Sequence, residues 1–588
     1  MIPALVCLTA DGAALARRLP GELHGLAGRV TGADVSFDDA TAHVAALFAA
    51  GRPIVGFCAA GILIRAVAPL LADKTREPPV IAVSGDGAHV VPLLGGHRGA
   101  NALAREIANT LGADAAITTA GDARLGVSLD EPPPGWRIAN PGAIKSFAAA
   151  LIAGGAIRVD GEAPWLDALK RDAAASFTIR ITEKADDGAG DRLVYHPPVL
   201  ALGIGAERDV DAAEVEALAR SVLADAGLSP DAVACVVSVD LKSDERAILQ
   251  LADALGVPAR FFDAARLAKE EQRISQASEY VRATVGTPSV AEAAALAAAG
   301  SAAKLVVTKR KSARATCAVA LAPGPIDAAT AGRPRGHLDI VGIGPGADGW
   351  RTPEASEALR AAQAVVGYGL YLDLVDGLIA GKPRHETGLG DETGRVERAL
   401  ALAAEGKRVA LVCSGDAGIY ALATLAFERM EKGDPAWRRI AVRVCPGISA
   451  LQAAAARLGA PLGHDFCAIS LSDLLTPIAD IERRLQAAAA GDFVVAFYNP
   501  ASLRRRTLLP RAREVLLAAR GPETPVALAR NLGRDGEAVT LHRLGDDWVG
   551  AVDMLTLVLV GSTATRRLDL AGGPRLYTPR GYERKEPA

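Results

Sequence analysis

Residues 336–346 read GHLDIVGIGPG, and their types and spacing are those of a turn that presents bare backbone to a ligand. Leu338, Ile340 and Val341 form the apolar end of a buried strand, and Gly342, Gly344 and Gly346 then make a turn that no bulky residue could follow. Pro345 gives this loop a shape unlike an ordinary dinucleotide loop. Residues 412–420, VCSGDAGIY, are a second strand running into glycines. Residues 445–450, CPGISA, are a third such turn, with Ser449 placed to cap the helix that follows. Residues 491–500, GDFVVAFYNP, end a fourth strand in polar, turn-forming residues, and Arg530-Asn531-Leu532-Gly533, followed by Glu537, makes a fifth.

A molecule lying across these turns meets many backbone N–H and C=O groups and few charged side chains. That suits a zwitterionic, sulfonium-bearing nucleoside better than a triphosphate. The dinucleotide pattern G-x-G-x-x-G with an acidic residue about 20 positions on is not matched, since residues 361–368 read AAQAVVGY. No G-x-x-x-x-G-K-[ST] loop is present, which weakens an ATP reading. In the front of the chain, residues 95–101, GGHRGAN, stand at a strand–helix junction. Glycines and an Arg at a helix N-terminus make a natural anion site, and His97 there could serve as acid or base or merely cap the turn.

The elements that must position these residues are α/β throughout. Strand-like runs at residues 3–9, 53–59, 79–84 and 115–119 alternate with helix-like stretches, which implies parallel βαβ units. Residues 131–182 read as a less regular appendage. A second block opens with the strand 200–209, continues with a helix at 212–226 and a strand at 232–239, and closes with strands at 303–308 and 316–321. Residues 183–198 and 322–335 have linker composition. The expected organisation is therefore three blocks: an N-terminal α/β domain with its appendage (1–182), a linker (183–199), a second α/β domain (200–322), a linker (323–336) and a rear domain (337–578). The rear block ends in DMLTLVLVG at 553–561, an unbroken apolar run fit for a central strand.

The bulk numbers agree. A chain of 588 residues makes three or four domains at roughly 150 residues each. A formal net charge of −3 argues against a nucleic-acid binder working through bulk charge. The seven cysteines are scattered without a CxxC pair, which suits buried thiols in a reducing cytoplasm better than a disulfide frame or a metal site. The N-terminus has no basic leader followed by a long apolar core. The longest greasy stretch, residues 54–64, falls short of the ~20 residues that span a bilayer, so no membrane partner is expected.

VGIGPG, SGDAGIY, PGISA, FYNPAS and RNLG, in that order, resemble the S-adenosylmethionine-dependent tetrapyrrole methylases of corrin biosynthesis, and within them the precorrin-3B C-17 methyltransferases. The resemblance covers residues 337 to about 578. It implies a two-lobed α/β fold with the cofactor, S-adenosyl-L-methionine, folded in the cleft between lobes, and a homodimer formed through this domain. It also implies that Pro345, flanked by Gly344 and Gly346, lines the cofactor site. Ser414, Gly415, Asp416 and Ile419 would contact the amino-acid and ribose portions, with Ser449 and Ala450 against it from the next turn. Tyr498 and Asn499 would close the adenine side, with Asn531 and Leu532 near. Methyl transfer from a sulfonium is an in-line displacement, so positioning can supply most of the rate. The implied ring contraction moves protons, which makes His385, Glu386, Asp391, Glu392 and His464 candidates for acid–base work, with residues 384–388 (RHETG) read as a polar loop after a helix. Arg504, Arg505 and Arg506 suit the carboxylates of a tetrapyrrole substrate, or a solvated helix face.

The front half carries a second resemblance. Residues 83–122 and the segments GIGAERD, SVDLKSDERAILQLADALGVPARFF and VGTPSVAEAAALAAAGSAAKLVVTKRKSARATCAVA are similar to the two domains of cobalt-precorrin-5A hydrolases. That family opens a lactone and expels a two-carbon fragment as acetaldehyde. The place to look for such chemistry is Asp240, Lys242, Asp244 and Glu245, with Glu292 and Lys309; the same residues could be an ordinary ion-pair cluster. The expectation is a bifunctional enzyme of cobalamin biosynthesis. The alternatives are a cobalt-bearing macrocycle as substrate, a front half that only binds macrocycle, and a dinucleotide oxidoreductase.

Overall fold

The computed structural model describes residues 3–72, 77–118, 125, 127–388, 390–501 and 506–582, with the side chain of residue 97 outside the description. The chain divides into two compact units: Met1–Leu338 with Leu400–Arg408 and Lys432–Ala441, and Asp339–Ala399 with Val409–Glu431 and Val442–Ala588.

Among the described residues the first unit holds three sheets. The first runs in the order Val35–Phe37, Glu22–Leu26, Ala4–Cys7, Ile54–Phe57, Val80–Val83, His89–Leu94 and Asp114–Ala115. It is parallel except for one hairpin, where Val80–Val83 meets His89–Leu94 antiparallel. The connection is too short for a crossover. Asp86 closes it by accepting from Ala88 N at 3.0 Å and from Ser84 Oγ at 2.5 Å. The strands Glu22–Leu26 and Val35–Phe37 escape a reading by apolar pattern because polar side chains interrupt them, His24 among these.

His24 is 2% exposed. Its Nδ1 shares a 2.8 Å hydrogen bond with His43 Nε2, and its Nε2 lies 2.9 Å from Glu22 Oε2, which also accepts from Arg52 Nη1 at 2.6 Å. Burial holds the imidazole down at about 4, against the pull of the Glu22 carboxylate. The unfolded chain, with imidazole near 6.5, therefore takes up a proton that the folded chain refuses, and stability falls as pH drops from about 6.5 toward about 4, by up to about 3 kcal/mol. Urea midpoints at about pH 7.5 and about pH 5 should fall further for the native chain than for His24→Leu; equal falls would remove this histidine as the cause.

The stretch expected to be an irregular appendage followed by a linker is a folded layer. Arg137–Ile138, Arg192–His196, Thr178–Ile181 and Arg158–Asp160 form a four-stranded sheet in that order. Arg192–His196 thus belongs to a sheet and not to a free joint. Leu193 and Tyr195 are fully buried with Phe147, Ile157, Leu166 and Ile179. The charged run before this strand is a turn held by Asp186, which accepts from Gly188 N at 2.9 Å and pairs with Arg180 and Arg192.

The third sheet runs Ala259–Phe262, Val233–Val239, Leu200–Ala206, Ala315–Leu321 and Lys304–Lys311, with the last two as an antiparallel hairpin. Helix Ala212–Asp225 packs on it, and Gly203 lets helix Ala291–Ala299 settle against the strand, since a Cβ there would overlap Ala291 O. The second linker-like stretch is strapped down too. The buried guanidinium of Arg260 donates to Ala331 O and Gly332 O, both at 2.8 Å, and Phe261 exchanges backbone bonds with Arg333. Proline, glycine and alanine there spare side-chain bulk; they do not leave the backbone unbonded.

In the second unit two five-stranded sheets face the site. One runs Arg384–Thr387, Ala364–Tyr368, Arg408–Cys413, His337–Gly342 and Ala441–Cys445; the other runs Phe466–Ser470, Val494–Tyr498, Thr556–Val560, Pro525–Arg530 and Ala538–Arg543. Thr556–Val560 is central, as its unbroken apolar run requires, yet it pairs antiparallel with both neighbours. Cover on both faces, and not parallel pairing, produces the pattern. Asp339, fully buried on the first sheet, is matched by Arg443 Nε at 2.7 Å.

Candidate functional site

The site is built from strand ends. After His337–Gly342 the chain turns through Gly344, whose φ of +77° is left-handed. Gly344 and Gly415 exchange backbone hydrogen bonds of 3.1 and 2.8 Å, which ties the first turn to the second. The third turn is inserted between them. A Cβ on Gly447 would overlap Gly415 O and come within 2.7 Å of Gly342 O, and one on Gly342 would lie 3.0 Å from Gly447 N. Three turns interlock here because three glycines leave nothing in the way. Asp416 pins the same junction: Oδ1 accepts from Gly418 N at 2.8 Å and Oδ2 from Gly447 N at 3.1 Å. Ser449 caps helix Ala450–Leu458 in a capping box with Gln452.

The second sheet supplies the opposite wall. Tyr498 Oη accepts from Leu451 N at 3.1 Å, and Asn499 Nδ2 donates to Ser470 Oγ at 3.1 Å. Asn531 opens a turn in which Gly533 N donates to Glu537 Oε2 at 2.7 Å. Arg534 reaches back from that turn, Nε donating to Pro345 O at 2.6 Å and Nη2 to Ser414 Oγ at 2.9 Å.

Between these walls lies a cavity of about 240 Å3. Pro345, Ser414, Gly415, Asp416 and Ile419 line it from the first sheet's turns, with Ser449 and Ala450 beside them, and Tyr498, Asn499, Asn531 and Leu532 line it from the second. Gly344 and Gly346 do not line it. They shape the Pro345 turn, Gly346 lying so close that a Cβ would stand 2.7 Å from Gly533 O. Ile419, Tyr420, Met554 and Leu555, 40–55% exposed, form an apolar rim. Among the described residues five non-glycine residues have positive φ, and three of them, Tyr420, Asn499 and Asn531, line this cavity. A bulky side chain in the left-handed region is strained, and such strain gathers at functional sites. Burial raises the Tyr371, Tyr420 and Tyr498 hydroxyls above the usual phenol range, so they stay protonated donors.

The acid–base candidates stand elsewhere. His385 and Glu386 are not in a loop but on the edge strand Arg384–Thr387, paired with Val366 and Gly367, and neither lines the cavity. Glu386 is half-exposed and lies 2.7 Å from Arg384, which also holds Asp373 and Asp376. Asp391 accepts from Gly394 N at 3.1 Å ahead of the helix Glu392–Ala404, and His464 is exposed, accepting from Asp465 N. Arg504 and Arg505 lie outside the described residues, and Arg506 is exposed. The His97 side chain is likewise outside the description; its backbone sits in a short turn, Gly96–Arg98, between left-handed Gly95 and Gly99.

In the front unit, Asp240 pairs with Arg333, Asp244 with Arg208 at 2.6 Å, and buried Glu245 lies 3.7 Å from Lys242 and 3.9 Å from Arg208. Glu292, fully buried, accepts from Ser275 N, Ser275 Oγ, Gln276 N and Lys309 N. Burial pushes its carboxyl up, but these hydrogen bonds win and hold it below the usual range. Lys309 Nζ donates to Gln276 O, so Glu292 and Lys309 meet through backbone and serve to pin a loop. Among the described residues no group of three or more His, Cys, Asp or Glu could hold a metal ion, and no helix is long and apolar enough to cross a membrane.

Sequence reading missed Tyr371, Tyr420, Arg534 and residues 554–557 as lining residues. Arg534 carried a signal, a cation directly after the glycine turn 530–533. Tyr371 carried none.

The family model for Tetrapyrrole (Corrin/Porphyrin) Methylases matches residues 337–546. In the front half, Cobalamin synthesis G N-terminal matches residues 42–122 and Cobalamin synthesis G C-terminus matches residues 200–320. The chain is 46% identical over 245 residues to the "Probable cobalt-factor III C(17)-methyltransferase" of Salmonella typhimurium, covering 42% of this chain and 99% of that one. It is 43% identical over 248 residues to the precorrin-3B C(17)-methyltransferase of a Sinorhizobium species, covering 42% and 97%. It is also 43% identical over 255 residues to the cobalt-factor III methyltransferase of Priestia megaterium, covering 43% of this chain but only 46% of that longer relative. Because it is more than 40% identical to two such relatives and covers 99% and 97% of their lengths, the chain belongs to the tetrapyrrole (corrin/porphyrin) methylases.

Proposed function

We propose that residues 337–578 transfer a methyl group from S-adenosyl-L-methionine to C-17 of precorrin-3B, with ring contraction to precorrin-4, in a cytoplasmic enzyme of cobalamin biosynthesis that pairs through this domain. The observation that carries the reading is the interlock of turns around one cavity, which among the described residues offers many main-chain groups, one carboxylate and one guanidinium. Such a lining fits a zwitterionic nucleoside, and the rim being open allows part of the ligand to project toward a second, larger substrate. When bound, the donor supplies a methyl group activated by positive sulfur. The protein's own contribution is to hold the reactants aligned and to keep water from the donor. The apolar rim of Ile419, Met554 and Leu555 suits the face of a macrocycle.

The cobalt-bearing macrocycle is the second reading, favoured by the names of two of the relatives. Residues 1–182 and 200–322 would act as a cobalt-precorrin-5A hydrolase-like region on a later intermediate. Mass spectrometry after incubation with methyl-labelled donor and each macrocycle in turn tests both readings. The account expects label in a ring-contracted product from the metal-free substrate. Label only with the cobalt form selects the second reading, and label with neither overturns both.

A further inference from the structure

Arg534 is the one cation lining the cavity among the described residues. Its hydrogen bonds go to neutral acceptors, the carbonyl of Pro345 and the hydroxyl of Ser414, and its guanidinium lies 5.7 Å over the Tyr371 ring. No carboxylate among the described residues pairs with it. Glu537, three residues on, is taken by Arg457 and by Gly533 N, and Asp416, the cavity's acid, is committed to Gly418 N and Gly447 N. A half-buried, unneutralised guanidinium at the wall of a ligand cavity is costly to keep. Two of its five N–H groups are used, and the remainder can make the bidentate contact that guanidinium offers a carboxylate. Gly346 is shaped to let this side chain pass, since a Cβ there would overlap Arg534 Cγ.

We propose that Arg534 is the carboxylate receptor of this site, and that its two internal hydrogen bonds hold the guanidinium aimed into the cavity while the ligand supplies the counter-charge. The proposal rests on the methyltransferase reading above. The carboxylate can come from the amino-acid end of the donor or from an acidic side chain of the macrocycle, and the two sources are separable. Titrate the full chain and the variants Arg534→Gln and Arg534→Lys with S-adenosylhomocysteine, with 5′-methylthioadenosine, which lacks the amino-acid end, and with uroporphyrin as a polycarboxylate macrocycle. If the donor's carboxylate is held, Arg534→Gln weakens S-adenosylhomocysteine by roughly tenfold or more, leaves methylthioadenosine unchanged, and is partly rescued by Lys. If the macrocycle's carboxylate is held, the loss falls on uroporphyrin alone. Equal loss for S-adenosylhomocysteine and methylthioadenosine would mean a collapsed wall, and no loss for any probe would mean an idle charge; either overturns the proposal. Failure of the unmodified chain to bind S-adenosylhomocysteine at all overturns the methyltransferase reading instead.

Discussion

Gly447→Ala should be the most damaging glycine-to-alanine change within residues 337–578. The new Cβ would overlap Gly415 O and stand 2.7 Å from Gly342 O, and both are backbone atoms that cannot swing aside as a side chain would. The only relief is to part the three turns. Overpacking of this kind costs about 1–3 kcal/mol, and rigid neighbours put this case at the upper end. The functional cost should be larger, because the parted turns are the floor of the cavity, and displacement by about 1 Å lowers a positioned reaction about a hundredfold. Methyl-transfer rate and thermal midpoint of Gly447→Ala should both fall. Gly377→Ala, in helix Asp376–Ile379 with nothing within 4 Å of its Cβ, should leave both intact or raise the midpoint slightly. Normal turnover by Gly447→Ala would show that the turns can part without consequence.

Asp416→Asn tests the same junction through polarity with hardly any change in shape. Both carboxylate oxygens accept backbone N–H bonds, from Gly418 and from Gly447. An amide has only one oxygen to offer, so one N–H would face another donor. Hydrogen bonds to a charged acceptor contribute about 1.5–3 kcal/mol, and a donor left facing a donor adds desolvation cost. The expected result is donor binding weaker by about tenfold to a hundredfold, with far-ultraviolet circular dichroism unchanged. Unaltered affinity would show that the pin plays no part in shaping the cavity.

Much of this site could be read one turn at a time. Glycines, an asparagine and a helix-capping serine each announce a strand end, and ten of the twelve residues expected at the cofactor line one cavity. What local sequence does not contain is which turn touches which. The interlock of Gly342, Gly415 and Gly447 spans about a hundred residues, and Arg534 reaches Ser414 from a different sheet. The errors share a cause. Arg384–Thr387 reads as a loop because its residues are polar, yet an edge strand with one bonded side carries such residues freely. Arg192–His196 carries linker composition because its charged preceding turn hides the alternation behind it. Polarity marks exposure to water; it does not by itself mark absence of backbone pairing.

The front unit fits the same lesson. The charged set at residues 240–245 reads either as a place for chemistry or as an ordinary ion-pair cluster, and the structure shows its members paired with one another and with Arg208 and Arg333. Such a network can hold strand ends in place without chemistry of its own.

Calorimetric titration of the full chain with S-adenosylhomocysteine bears most directly on the claim that strand-end turns of two sheets grip a sulfonium donor through main-chain atoms. The account predicts saturable binding at one site per chain, lost or sharply weakened in Gly447→Ala. No heat of binding, or undiminished binding by that variant, would contradict it.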